Sequence, residues 1–139
     1  MRILFLVAAL LLSGMILLSL LSRRGKAKGL VDGRLAPLPG KPNCVSSEAG
    51  TDPAKAVAPL ATDKNALLGA IEATGGTVMA DRGDYIAATY TSGLMRFVDD
   101  VEFRQDGDIW HVRSASRVGH SDLGANRKRV AAIRSVLET

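Results

Sequence analysis

The sequence predicts an α+β domain carried on an N-terminal transmembrane helix, with a small four-stranded antiparallel sheet and two helices packed on one of its faces. Residues 3–21 of the 139 are uncharged, which is long enough for a membrane-spanning helix. Two later segments repeat apolar residues at helical spacing, and four segments between them read as strands around two turn sequences. The chain thus divides into a membrane anchor with a basic flank (1–29), an extended arm (30–62) and an α+β domain (63–139).

The first element, the apolar segment 3–21, is expected to be an uncleaved single-pass anchor in a bacterial inner membrane. The alternative is a cleaved signal peptide, which usually ends in small residues of the A-x-A kind, whereas SRRGKAKG follows here. Only Arg2 precedes the segment and four basic residues follow it, which favours a cytoplasmic position for the rest of the chain. The basic flank has a second interpretation, as a site for anionic lipid head groups.

The arm and the first helix come next. Residues 30–62 contain all five prolines and show no sustained period, which is typical of extended chain. Thr62 or Asp63 is expected to cap a short helix with one apolar face, because their side-chain oxygens can accept free backbone N–H groups. Gly75-Gly76 supplies the left-handed residue that ends this helix.

Two hairpins and a second helix complete the domain. The first hairpin joins 77–81 to 84–92 around Arg82-Gly83, and the second joins 96–105 to 108–117 around Asp106-Gly107. The last helix is expected from about residue 122 to residue 137. Leu123, Val130, Ile133 and Leu137 form an apolar stripe on one face of this helix, and the polar Asn126 lies on the same face.

The turn at 106–107 determines the pairing of the second hairpin. It places Phe103 opposite Trp110 on the face that forms the core. The other face, which is solvated or covered by charge partners, then carries a cross-strand structural ion pair between Asp100 and Arg113.

Polar residues interrupt the apolar face away from the turn: Asp99, Ser114, Ser116 and, from the last helix, Asn126. Because an unpaired buried carboxylate costs several kcal/mol, these residues must be paired or line a cavity. Arg117 and Arg127 border the group. With the helix start, capped by Ser121 or Asp122, they could bind a phosphate or carboxylate. The alternative is a structural ion-pair network with the acids of 81–108.

Composition excludes several classes of protein. The net charge is +4, but five of the eighteen basic residues flank the anchor, and the other thirteen are outnumbered by fourteen acids. The domain therefore has no basic field for nucleic acid. One cysteine excludes an intrachain disulfide, and Cys44, His111 and His120 make no metal-ligand cluster, so no metal or cofactor is expected.

Three segments, PNCVSSEA, RFVDDVEF and VRSASRVGHSDLGANRKRV, resemble the domain of unknown function 1499 family. The similarity extends over residues 30–137. It implies a small domain that often follows a membrane or export segment and has no assigned activity. A relative on the lumenal side of the thylakoid implies the opposite membrane side from the charge pattern. Leu38 stands where many relatives carry a second cysteine, so a two-thiol role does not carry over.

These observations favour a non-catalytic, membrane-tethered binding or accessory module whose polar pocket accepts a small anion or an acidic group of a membrane-protein partner. One alternative is a hydrolase-type enzyme that uses Asp99 and a nearby serine, although register places no histidine beside the serines. Another is a purely structural subunit of a membrane complex. Cys44 could be a nucleophile only with a base and a lowered pKa, so a packed cysteine is the expectation.

Overall fold

A computed structural model describes residues 1–139 and contains three helices and eight strands. The helices are α1 (Arg2–Arg23), α2 (Lys64–Ala73) and α3 (Ala125–Leu137). The strands are β1 (Leu30–Val31), β2 (Arg34–Leu35), β3 (Cys44–Ser46), β4 (Leu60–Ala61), β5 (Thr77–Asp81), β6 (Tyr85–Thr91), β7 (Val98–Asp106) and β8 (Ile109–Ser116). By length and composition, α1 could cross a membrane.

The main sheet has six strands, so the prediction of four was wrong. The two predicted hairpins form β5 to β8, and both β3 and β4 pair antiparallel with β8. Part of the segment 30–62 therefore belongs to the sheet, while β1 and β2 form a separate two-stranded ribbon. The extra strands could not be predicted, because two or three residues are too few to show an alternation of apolar and polar positions.

Both helices of the domain bury their apolar stripes against the same face of the sheet. Leu67 and Ile71 of α2 and Val130 and Ile133 of α3 join one cluster of fourteen buried residues, with Trp110 among the sheet residues. As predicted, Asp63 caps α2, its Oδ1 accepting the Ala66 N–H at 2.9 Å, and Gly75 ends the helix with φ +91°.

The last helix begins at Ala125, three residues later than predicted. Leu123 has φ +53° and is 87% exposed, so its place on the apolar stripe was wrong. The Asp122 carboxylate accepts the Gly124 and Asn126 N–H groups at 2.9 and 3.0 Å. It therefore caps this helix from outside its first turn.

The pairing of the second hairpin differs from the prediction by a shift of two residues in the partner strand. Asp106 lies opposite Ile109, so Gly107 is the first central residue of the turn. Its φ is +59°, the positive value that a Gly-X turn places at this position. Phe103 consequently lies opposite Val112 instead of Trp110. Every residue keeps its predicted face, because the change moves the partner strand by two residues.

The face of the sheet opposite the helices is covered by the N-terminal part of the chain. Leu35 packs with Tyr85 and Ala87 in a second, smaller cluster. At the end of α1, the Ser22 hydroxyl accepts the Val98 N–H at 3.1 Å. We call this covered side the back face. Asp100, Glu102 and Arg113 are consequently buried, so of the two predicted alternatives for this face, solvated or covered by charge partners, the second holds for these residues.

Candidate functional site

The polar group predicted on the core side of the sheet exists. Ser114 donates to Asn126 Oδ1 at 2.6 Å, and Asn126 Nδ2 donates to Ser116 Oγ at 2.9 Å. Arg129 joins them by donating to Asn126 Oδ1 and to Asp99 Oδ2, both at 2.8 Å. We call these five residues the buried polar cluster.

The buried polar cluster is internally satisfied. Asn126 is fully buried, and the two hydrogens of its Nδ2 are shared among three acceptors: Ser116 Oγ, the Asn43 carbonyl at 3.0 Å and Asp122 Oδ2 at 2.8 Å. Burial raises the pKa of Asp99, although the Arg129 guanidinium acts to lower it. Burial likewise acts to raise the pKa of Asp122, but hydrogen bonds from Asn126 outweigh it and hold that pKa below its usual range. This arrangement ties α3 to β8 and to the chain before β3.

Neither arginine predicted to border this group lies there. Arg127 donates to the carbonyl oxygens of Ala56 and Ala54 at 3.0 and 2.7 Å. Arg117 lies on the back face. The arginine that does enter the cluster is Arg129. Its spacing of three residues from Asn126 was the available signal, since residues three apart are neighbours on a helix.

Two buried ion pairs lie on the back face, and neither is the predicted pair of Asp100 and Arg113. Arg113 Nη1 donates to Glu102 Oε2 at 3.2 Å. Arg117 binds Asp100 with two hydrogen bonds of 2.8 and 2.7 Å. The observed register explains the exchange, because it places Glu102 directly opposite Arg113. Burial and the hydrogen bond to Glu102 raise the pKa of Tyr85.

A cavity of about 570 Å³ opens beside these ion pairs, and we call it the basic pocket. It lies between the segment that follows α1, the loop before β3 and the end of β8. Six basic residues line it against a single acid, Asp100. The basic residues are Arg24, Lys26, Lys28, Lys41, Arg113 and Arg117.

Most of the positive charge in the basic pocket is not neutralised by the protein. Arg117 is paired with Asp100 and Arg113 with Glu102, but the side chains of the other four basic residues form no ion pair. Asn43 also lines the pocket. Its Nδ2 donates to the carbonyl groups of Val118 and Gly119, yet its buried Oδ1 has no hydrogen-bond donor. The pocket therefore offers free cations, whereas Asn43 Oδ1 is shielded from solvent.

The end of the apolar helix helps to build this pocket. Arg117 Nη1 donates to the Ser22 carbonyl at 2.9 Å. A Cβ at Gly25 would lie 2.7 Å from Arg117 Cδ, which is closer than van der Waals contact allows. Glycine at this position lets the arginine pass between the helix end and Asp100. The basic flank is thus tied to the folded domain.

Cys44 lies in β3 and has the surroundings of a packed residue. It is buried, and its Sγ lies 3.2 Å from the Lys41 carbonyl oxygen, to which the thiol donates. Burial raises the pKa of the thiol, although nearby positive charges act to lower it. A raised pKa disfavours the thiolate that nucleophilic chemistry requires.

One serine does meet a histidine, at a place that the sequence did not indicate. Ser47 Oγ lies 3.1 Å from His111 Nδ1, and His111 Nε2 lies 3.8 Å from a carboxylate oxygen of Asp106. The Ser47 hydroxyl oxygen also accepts the Val112 N–H at 2.8 Å. Neither Ser47 nor His111 lines the basic pocket. These contacts fasten the chain after β3 to β8.

A family model described as "Protein of unknown function (DUF1499)" matches residues 34–137. The match covers most of the chain, and the chain therefore belongs to this family, as the motifs predicted. No curated protein matches it.

Proposed function

We propose that this protein is a membrane-tethered, non-catalytic binding module that holds a small anionic group in the basic pocket. The observation that carries the proposal is the group of four unpaired cations, Arg24, Lys26, Lys28 and Lys41, around a cavity with buried polar residues at its base. Clustered like charges repel one another, and an anion bound among them relieves that repulsion. The cavity volume lies in the range of small-molecule sites.

The basic pocket replaces the buried polar cluster as the candidate site. The members of that cluster bond to one another, which supports a structural role in holding α3 to the sheet. The hydrolase alternative gains no support there, because the Ser114 and Ser116 hydroxyls both bond to Asn126 and neither meets a histidine. The structural-subunit alternative leaves the unpaired cations of the pocket without a role.

The test measures anion binding by isothermal titration calorimetry, in which the full chain in uncharged detergent is titrated with inorganic phosphate and with glycerol 3-phosphate. We expect saturable binding that weakens as salt is added. The double variant Lys28→Gln/Lys41→Gln should lose about tenfold in affinity, since two exposed ion pairs at about 0.7 kcal/mol each amount to that factor.

The matched control is Lys128→Gln, which removes an exposed lysine of α3 outside the pocket. We expect it to bind as the wild type does. The control removes one charge and the double variant two, so a loss of binding free energy in the control that is half the loss in the double variant would mean that binding follows net charge and not the pocket. That result, or no saturable binding at all, would refute the proposed function.

A further inference from the structure

We infer that the basic pocket takes the head group of an anionic phospholipid from the leaflet on which the domain lies. This inference rests on the proposed function and adds the chemical class and source of the ligand. Three observations support it: the position of the pocket relative to α1, a neighbouring apolar loop, and the polar groups that the pocket offers.

The position of the pocket follows from the length of α1. Its uncharged segment ends at Leu21, and Arg24 at the pocket rim comes three residues later. At a rise of about 1.5 Å per residue, this distance is roughly 4.5 Å. The head-group layer of a bilayer is roughly 5–7 Å thick on each side. If the apolar segment lies in the hydrocarbon, the rim of the pocket lies among the head groups.

The loop between β6 and β7 lies against the apolar segment of α1, deeper in the bilayer than the rim of the pocket. Leu94 and Met95 line a cavity together with Leu12 and Ile16 of α1, and Leu94 is 96% exposed. The Ser19 hydroxyl contacts the Arg96 carbonyl at 3.5 Å, which holds the loop against the helix. An exposed apolar loop beside an apolar helix is suited to lipid and not to water. The domain therefore rests on the membrane, with the pocket beside it.

The lining of the pocket favours a glycerol phosphodiester over a bare anion. The unpaired lysines suit a phosphate, and Arg113 Nη2 also makes no hydrogen bond within the protein. Leu38 adds an apolar wall that suits a glycerol backbone. A bare phosphate would leave most of the cavity unfilled.

The test uses the full chain in lipid nanodiscs of defined composition, with bound lipid counted by native mass spectrometry after release. Phosphatidylglycerol is the probe and phosphatidylcholine is the zwitterionic comparison. We expect one phosphatidylglycerol to be retained per chain and phosphatidylcholine not at all. Lys28→Gln/Lys41→Gln should lower retention about tenfold, whereas Lys128→Gln should not change it.

The outcomes separate this inference from the proposed function. Titratable binding of glycerol 3-phosphate, without retention of phosphatidylglycerol, would overturn the lipid assignment and leave a pocket for a soluble anion. Equal retention of phosphatidylglycerol and phosphatidylcholine would overturn the role of the negative charge. Retention that the double variant leaves unchanged would show that lipid binds elsewhere. Neither lipid nor soluble anion bound would overturn both proposals.

Discussion

The buried ion pair between Glu102 and Arg113 gives the sharpest test of the observed register. Glu102 is fully buried, and its Oε1 accepts the Tyr85 hydroxyl and the Gly29 N–H, both at 2.7 Å. Glu102→Ala would leave the Arg113 guanidinium buried without its anion. Breaking a buried pair in this way costs about 3–5 kcal/mol. Because a small domain is stable by about 5–15 kcal/mol, the loss should be plain.

The assay is urea unfolding of the full chain in uncharged detergent, monitored by tryptophan fluorescence. Trp110 is the only tryptophan and is fully buried, so its emission reports the loss of the core. Glu102→Gln keeps the volume and one acceptor, and we expect it to cost about 1.5–3 kcal/mol through the loss of charge-assisted hydrogen bonds. Asp81→Asn is the control, because its pair with Lys64 is exposed and should contribute little.

Double-mutant coupling gives the result that would refute the reasoning. In the observed register, Arg113→Met should couple strongly to Glu102→Ala and weakly to Asp100→Ala. A turn centred on 106–107 would instead place Asp100 opposite Arg113. Strong coupling of Arg113 to Asp100, together with a Glu102→Ala effect as small as that of the control, would mean that the pairing of β7 with β8 is wrong.

Further predictions concern glycines and pH. Gly69→Ala, in α2 with open space around the new Cβ, should stabilise the domain by about 0.4–1 kcal/mol in the same urea assay. Gly76→Ala should destabilise it by about 1–3 kcal/mol, since its Cβ would lie 2.6 Å from the Tyr90 ring. Burial acts to raise the pKa of Glu48, but Arg104 and the Leu35 N–H hold that pKa below its usual range. The stability that Glu48→Gln removes should therefore be present near neutral pH and vanish as pH falls through the lowered pKa. The pKa of Asp99 is raised, so the pH dependence has the opposite sign: the stability of the wild type should fall as pH rises through that pKa. Asp99→Asn should remove this fall. Urea midpoints across pH that run parallel for wild type and variants would contradict both expectations.

The elements that could be predicted are those whose signals are local. Asp63 before an apolar stripe and Gly75 after it fix α2 within the sequence itself. The apolar and polar alternation of β7 and β8 assigns every side chain to its face. The apolar stripe of α3 likewise predicts the contact of Asn126 with Ser114, because a polar residue on a buried stripe must meet polar partners.

The register could not be obtained from the same pattern. The sequence Asp106-Gly107-Asp108 contains two overlapping turn signals, and both keep the apolar residues on one side. A shift of the partner by two residues conserves the faces, so hydrophobic alternation cannot distinguish the two pairings. The two pairings differ in which apolar residues and which charged residues lie opposite one another, and each offers an acid for Arg113. The predicted pair with Asp100 was therefore as consistent with the pattern as the observed pair with Glu102.

The basic pocket was hidden from sequence reasoning for a different reason. Its lining comes from 24–28, 36–43 and 113–119, which are distant in the chain and meet only because β3 pairs with β8 and the end of α1 contacts Arg117. Once these segments meet, the two roles proposed for the basic flank need not conflict. As a topology signal it requires only excess positive charge beside the span. As part of a pocket it requires cations that are left unpaired. This condition holds because the acids Asp100 and Glu102 already pair with Arg117 and Arg113, respectively. Replacing Lys28 and Lys41 leaves Arg23, Arg24 and Lys26 beside the span. A binding defect in that variant can therefore be separated from a change of membrane orientation.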